Sequence, residues 1–124
     1  MSQQGSLLDL ISKHHVNIEL VKDASQVDDT KPNVKLVGAN WCAYSKIGVS
    51  QFNDACEDMK ESKCYLFDTT IPESAKAADT LGLKPEGFPT HFVNDGNGNQ
   101  QALVGMRPQE LLKNELKNLG MKFA

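Results

Sequence analysis

The chain has 124 residues, 40% of them hydrophobic and 23% charged, a makeup suited to one compact domain over residues 1–124 that buries its own core. A net charge of −3, with Lys and Arg scattered rather than gathered on a stripe, argues against nucleic acid as a partner. No apolar run reaches membrane length and no basic segment precedes one at the start, so neither a membrane partner nor a secretory signal is expected, and a cytoplasmic placement is.

Ser6 to His15 spaces Leu7, Leu8, Leu10 and Ile11 as a short amphipathic helix, and Asn17 to Val21 reads as a strand. The polar stretch Lys22 to Asn33, with Asp28, Asp29 and Pro32, reads as a loop with room for one helical turn. Val34 to Gly38 is an apolar run too short for a helix; it suits a buried strand that leads straight into Trp41-Cys42. From Ala43 a helix is expected, with Phe52, Ala55, Cys56 and Met59 on its apolar face. Lys63 to Phe67 is strand-like, after which Pro72 and Glu73 open a helix with Ala75, Ala78 and Leu81 inward and Gly82 at its end. Phe88 to Val93 and Gln101 to Val104 flank a turn rich in Asn and Gly, as in an antiparallel hairpin. Pro108 starts a last helix striped by Leu112, Leu116 and Leu119 and closed by Gly120. The order α-β-β-α-β-α-β-β-α implies an α/β fold with a mixed sheet flanked by helices.

The strand-to-helix junction holds the chemistry. A cysteine just before a helical turn sits beside unsatisfied backbone N–H groups and the positive end of the helix dipole. Such positions lower a thiol pKa from about 8.5 toward about 7 or below, which favours thiolate. Cys42 is therefore the best nucleophile in the chain, although the same residue also suits a small buried apolar role. Three cysteines (Cys42, Cys56, Cys64) are an odd count without framework spacing, and a reducing cytosol would leave them as thiols, so no structural disulfide is expected. His14 and His15 are adjacent, His91 is isolated and no Cys-x-x-Cys pair exists, so neither a metal nor a cofactor is expected.

Pro89 stands at the start of an apolar strand, where a residue without an N–H marks an edge, a strand start or a cis bond. Val34 to Cys42, followed later by Gly87-Phe88-Pro89-Thr90, resembles the thioredoxin family, and the match spans roughly residues 16 to 120. The resemblance implies a three-layer α/β/α sandwich with a central mixed sheet and a cis-proline loop. It also implies that Cys42 is the exposed attacking thiol, that Pro89 is cis and faces it, and that the backbone of Phe88 pairs with an extended substrate segment. Trp41, Ala43, Tyr44, Phe88, Pro89 and Thr90 then surround the substrate. Trp41 is read either as a shield beside the site or as a plain core tryptophan.

Two positions depart from the family. Ser45 stands where dithiol members carry the second cysteine that releases substrate, and a hydroxyl cannot do this, though it can donate a hydrogen bond to the Cys42 sulfur. It is either a natural one-thiol site or an engineered replacement in a Cys-Ala-Tyr-Cys enzyme. Leu36, six residues before Cys42, replaces a buried acid that assists proton movement, while Lys35 alternates to the other face and reads as a surface residue. Cys56 is fourteen residues along the same helix, roughly 21 Å from Cys42 at about 1.5 Å per residue, too far to resolve it. Cys64 falls toward the same far end, so both read as structural.

The leading function is that of a thiol–disulfide oxidoreductase acting on protein disulfides through Cys42, with an external thiol reductant such as glutathione or a reductase as second partner. The alternatives are a non-catalytic module holding a partner on the Trp41/Phe88 surface, and a monothiol glutaredoxin-like protein using glutathione.

Overall fold

The computed structural model describes residues 6–11 and 17–123. Of the expected first helix, Leu8–Ile11 forms a 3₁₀ turn, and residues 12–15 lie outside the described residues. A five-stranded sheet follows, built from β1 (Ile18–Leu20), β2 (Asn33–Gly38), β4 (Lys63–Asp68), β5 (Thr90–Asn94) and β6 (Gln100–Val104), in the order β1-β4-β2-β5-β6. β1 and β2 run parallel to β4, and β5 and β6 run antiparallel to their neighbours, so the sheet is mixed as expected. Helices α1 (Ala43–Asp58), α2 (Pro72–Thr80) and α3 (Gln109–Asn118) complete the sandwich.

Alternation along β2 separates two cores. Val34 and Leu36 join Val49, Phe52 and Ala55 of α1 and Leu112 and Leu116 of α3 on one face. Val37 joins Tyr65, Phe67 and Phe92 with Ala77 and Ala78 of α2 on the other. On α2 Ala78 is buried as expected and Leu81, at the C-cap, packs against the same core, but the buried positions of the helix also include Ser74 and Ala77 rather than Ala75, which is only half-buried; Ser74 turns inward to accept the Asp68 N–H at 2.9 Å.

Two short strands were not legible in the sequence: β3 (Met59–Lys60) pairs antiparallel with β7 (Lys122–Phe123) and ties the C-terminal segment to the end of α1. Two expectations are corrected there and on β2. Cys56 and Cys64 are joined in a disulfide, because the turn after α1 returns the chain into β4 with the two Cα atoms 6.4 Å apart. The odd count concealed this pairing. Lys35 is not a surface residue but 1% exposed: its stem crosses the α2 side of the sheet, and its Nζ donates to Asp29 Oδ1, Asn33 Oδ1 and Gln100 Oε1 at 2.6 to 2.8 Å. A sheet covered on both faces has no solvent side for a central strand to offer. Burial pulls the Lys35 pKa down, while the hydrogen bond and charge of Asp29 hold against that.

Candidate functional site

β2 ends at Gly38 and the chain turns through Asn40 and Trp41 to Cys42, the N-cap of α1, whose extended backbone sets the sulfur beside the first helical turn. The turn is tied down from the neighbouring β4–α2 connection: Thr69 N–H and hydroxyl both donate to Gly38 O, and Asn40 N–H donates to Thr70 Oγ1 at 2.9 Å. Cys42 N–H donates to Ala39 O at 3.1 Å, and Cys42 O accepts the first helical bond, from Lys46 N–H. The position of the thiol is thus set by backbone bonds on both sides.

Cys42 is partly exposed and is the free cysteine. Desolvation pushes its thiol pKa up, but hydrogen bonds from the Ser45 backbone N–H, the Ser45 hydroxyl and the Tyr44 backbone N–H outweigh this, so the pKa lies below the ordinary thiol value. Ser45 is fully buried, and its Oγ accepts the Ala39 N–H at 3.1 Å, which leaves the hydroxyl proton free to point at sulfur. The fit around it is tight: a Cβ on Gly38 would stand 2.9 Å from Ser45 Oγ.

Across from the sulfur lies the 87–90 loop, where the Phe88–Pro89 peptide is cis. Cys42 Sγ sits 3.9 Å from Phe88 O. The loop is held from within by Thr90 Oγ1 donating to Gly87 O at 2.6 Å, and from β6 by Gly105 N–H donating to Pro89 O at 2.8 Å. Pro89 packs on α1 at Gly48, where a Cβ would approach Pro89 Cγ to 2.7 Å, so a side chain at 48 would displace the loop. Pro89 and Thr90 are buried and position the loop, whereas Phe88 remains half-buried at its surface.

Trp41 is 68% exposed and Tyr44 62%, with Ala43 exposed between them, so the core reading of the tryptophan fails. Trp41 meets Phe88 edge to face, ring centroids 5.8 Å apart. The site residues read from the sequence therefore fall in one place: a thiol with an aromatic rim on one side and the proline loop on the other. Cys56 and Cys64 lie at the opposite end of α1.

The residue that the sequence did not single out is His91. It is the cross-strand partner of Leu36 on β2 and of Leu103 on β6, it is 1% exposed, and its ring lies 5.6 Å from that of Phe52. Among the described residues neither ring nitrogen has a hydrogen-bond partner. Burial, and then the positive charge of Arg107, push its pKa down to about 3, so the ring is neutral at physiological pH. Its place two residues beyond Pro89 on an alternating strand was the available signal. Among the described residues no group of three or more His, Cys, Asp or Glu is placed to hold a metal ion, and no helix is long and apolar enough to cross a membrane.

No protein-family model matches the chain, and no curated protein sequence does. Solved structures do resemble it. Thioredoxin O2 of Arabidopsis thaliana in its oxidized state is 18% identical with a TM-score of 0.66, over 83% of this chain and 94% of that one. A mutant thioredoxin of Halobacterium salinarum is 19% identical with a TM-score of 0.66, over 82% and 89% respectively. Mitochondrial thioredoxin 3 of Saccharomyces cerevisiae, oxidized form, is 15% identical with a TM-score of 0.65, over 85% and 98%.

Proposed function

From the thioredoxin fold that these likenesses establish, we propose that the chain exchanges thiols and disulfides with protein substrates through Cys42. The observation that carries this is a partly exposed thiol at the N-cap of α1, its pKa lowered by Ser45 and Tyr44, set against a cis-proline loop. The thiolate attacks a substrate disulfide and forms a mixed disulfide, while Trp41, Ala43, Tyr44 and Phe88 receive the flanking segment, which runs extended along the 87–90 loop. Pro89 and Thr90 hold that loop, and Ser45 supports the thiolate without being able to displace the substrate. Release then falls to a thiol from outside the chain, glutathione or a reductase among them.

The disulfide at the base of α1 favours a compartment where disulfides persist over the cytoplasmic placement expected from composition. The experiment that tests the reading is the pH dependence of Cys42 alkylation. We expect a midpoint below that of a free cysteine and a mixed disulfide on mixing with a model disulfide such as oxidised glutathione; an ordinary midpoint with no adduct overturns it. The second reading, a non-catalytic module, draws on the exposure of Trp41 and Tyr44 and predicts client binding that survives Cys42→Ala. A Ser45→Cys variant that gained turnover in disulfide reduction would point to an ancestral or natural cysteine at that position.

A further inference from the structure

We propose that Asn97 is a site of self-modification: its side-chain amide is lost to attack by the Gly98 backbone nitrogen, which leaves an isoaspartyl or aspartyl residue in the turn between β5 and β6. The inference stands apart from the chemistry at Cys42, which lies beyond the opposite end of β5, beside the cis-proline loop.

Of the asparagines in the chain, Asn97 alone is followed by glycine. The turn then sorts the members of Asn94-Asp95-Gly96-Asn97-Gly98-Asn99 by what holds them. Asn94 is 5% exposed, and its Oδ1 accepts the Gly96 N–H at 2.7 Å. Asn99 donates from Nδ2 to Asp95 Oδ2 at 2.8 Å. Asp95-Gly96 is the other pair open to ring closure, and both of its reacting groups are engaged. The Gly96 nitrogen is bonded as just described, and Asp95 Oδ1 accepts the N–H groups of Asn97 and Asn99 at 2.7 and 3.2 Å. These bonds, that of the Asn99 side chain first, hold the Asp95 pKa below the ordinary carboxylate value, so it stays an ionised carboxylate and a poor electrophile. Asn97 differs on every count. It is exposed, and among the described residues neither its side chain nor the Gly98 N–H has a hydrogen-bond partner. Gly98, at φ +93°, has nothing within 4 Å of where a Cβ would stand, so its nitrogen can be approached without a clash.

The step balances without an oxidant or reductant. Gly98 N attacks Asn97 Cγ; the N–Cγ bond forms, the Cγ–Nδ2 bond breaks, and the nitrogen leaves as ammonia with the proton that Gly98 gave up. The product is a succinimide ring, which water opens. Attack of water at Cγ gives aspartate, and attack at the backbone carbonyl carbon gives isoaspartate, whose main chain runs through the side-chain carboxyl and is one methylene longer. The net change is water consumed, ammonia released and one negative charge gained. The longer chain falls inside the span that Asp95 N–H closes on Asn99 O at 3.1 Å. Gln100, which follows, begins β6 and accepts Lys35 Nζ at 2.7 Å, so the isoaspartyl turn disturbs one anchor of the buried lysine.

The folded chain, held in warm, mildly alkaline buffer and then mapped by peptide mass spectrometry, tests this. Isoaspartate is scored by methyl transfer from labelled S-adenosylmethionine with a protein isoaspartate methyltransferase. We expect the amide-to-acid mass change at Asn97 as the dominant conversion, with loss of the methyl-accepting site in Asn97→Gln, whose side chain makes no contact to lose. We also expect faster amide exchange at Asn99 in the isoaspartyl form than in freshly made Asn97→Asp, with the Cys42 alkylation midpoint unchanged in both. Conversion spread evenly over the asparagines, methyl acceptance that persists in Asn97→Gln, or an Asn97 that converts in urea but not in the folded chain overturns the site. Equal exchange at Asn99 in the two forms overturns its consequence for the turn.

Discussion

His91 offers the sharpest quantitative test of the packing beneath the site. Its imidazole is neutral in the fold, held between Leu36 and Leu103 across the sheet and Phe52 on α1, with Arg107 the nearby cation and Glu115 paired to that Arg107 at 2.6 Å. In the unfolded chain the ring regains its ordinary pKa of about 6.5, whereas in the fold that value is about 3. Below pH 6.5 the unfolded chain therefore binds a proton that the folded chain refuses. Stability is full above that pH, and it falls as pH drops from about 6.5 toward about 3. Integrating the difference between pH 7 and pH 4.5 gives a loss of about 2.5 kcal/mol from this one residue. Urea unfolding of the wild-type chain and of His91→Leu at both pH values is the assay. The leucine keeps an apolar body among Leu36, Leu103 and Phe52, so its own packing cost cancels between the two pH values, as do contributions from exposed carboxylates. The wild type should lose about 2.5 kcal/mol more than the variant over that interval. Curves that fall in parallel, or a proton titration of the His91 ring near 6.5 in the folded protein, refute the argument.

Other consequences follow from the same geometry. Ser45→Ala removes both the hydroxyl that favours the Cys42 thiolate and the acceptor for Ala39 N–H; the alkylation midpoint of Cys42 should move up, and stability should fall by about 1–3 kcal/mol for the orphaned buried amide. Gly48→Ala drives a methyl against Pro89, so we expect a loss of about 1–3 kcal/mol by denaturant melt together with slower mixed-disulfide formation by stopped-flow. Replacing Cys56 and Cys64 together by alanine opens a loop of sequence separation 8, which should cost about 2.5 kcal/mol while leaving the Cys42 alkylation midpoint unchanged. Alkylation of the unreduced, denatured wild-type chain followed by mass spectrometry should mark one cysteine; three labels would show that the disulfide is not formed.

The two cysteine sites are related through α1. Its N-terminus lends backbone N–H groups to Cys42, and its C-terminal turn is fastened by Cys56 to the start of β4. The second fastening also carries the C-terminal segment, since β3, which β7 pairs with, lies inside the loop that the disulfide closes, as does Asp58, the partner of Lys113. The helix that positions the nucleophile is thus clamped at the end where no chemistry takes place.

Much of this was legible from residues alone because it rests on local periodicity. The apolar run before Cys42, the stripe on α1, the Asn- and Gly-rich turn and the leucines of α3 each specify an element from its own spacing, and the element order then implies a mixed sheet with helices on both faces. The likeness of two separated segments, Trp41-Cys42 and Phe88-Pro89, to the thioredoxin pattern brings the candidate site together from sequence alone. What only the tertiary structure decided are the properties that depend on distance between segments. Whether Cys56 and Cys64 pair depends on a turn that brings their Cα atoms to 6.4 Å, which no count of cysteines contains. Alternation sends Lys35 and Leu36 to opposite faces, but covering both faces is a matter of α2, α1 and the loop around Asp29 closing over them. The burial of His91 has the same origin. Periodicity fixes which way a side chain points; the charge state and reactivity of that side chain are set by what the rest of the chain places around it.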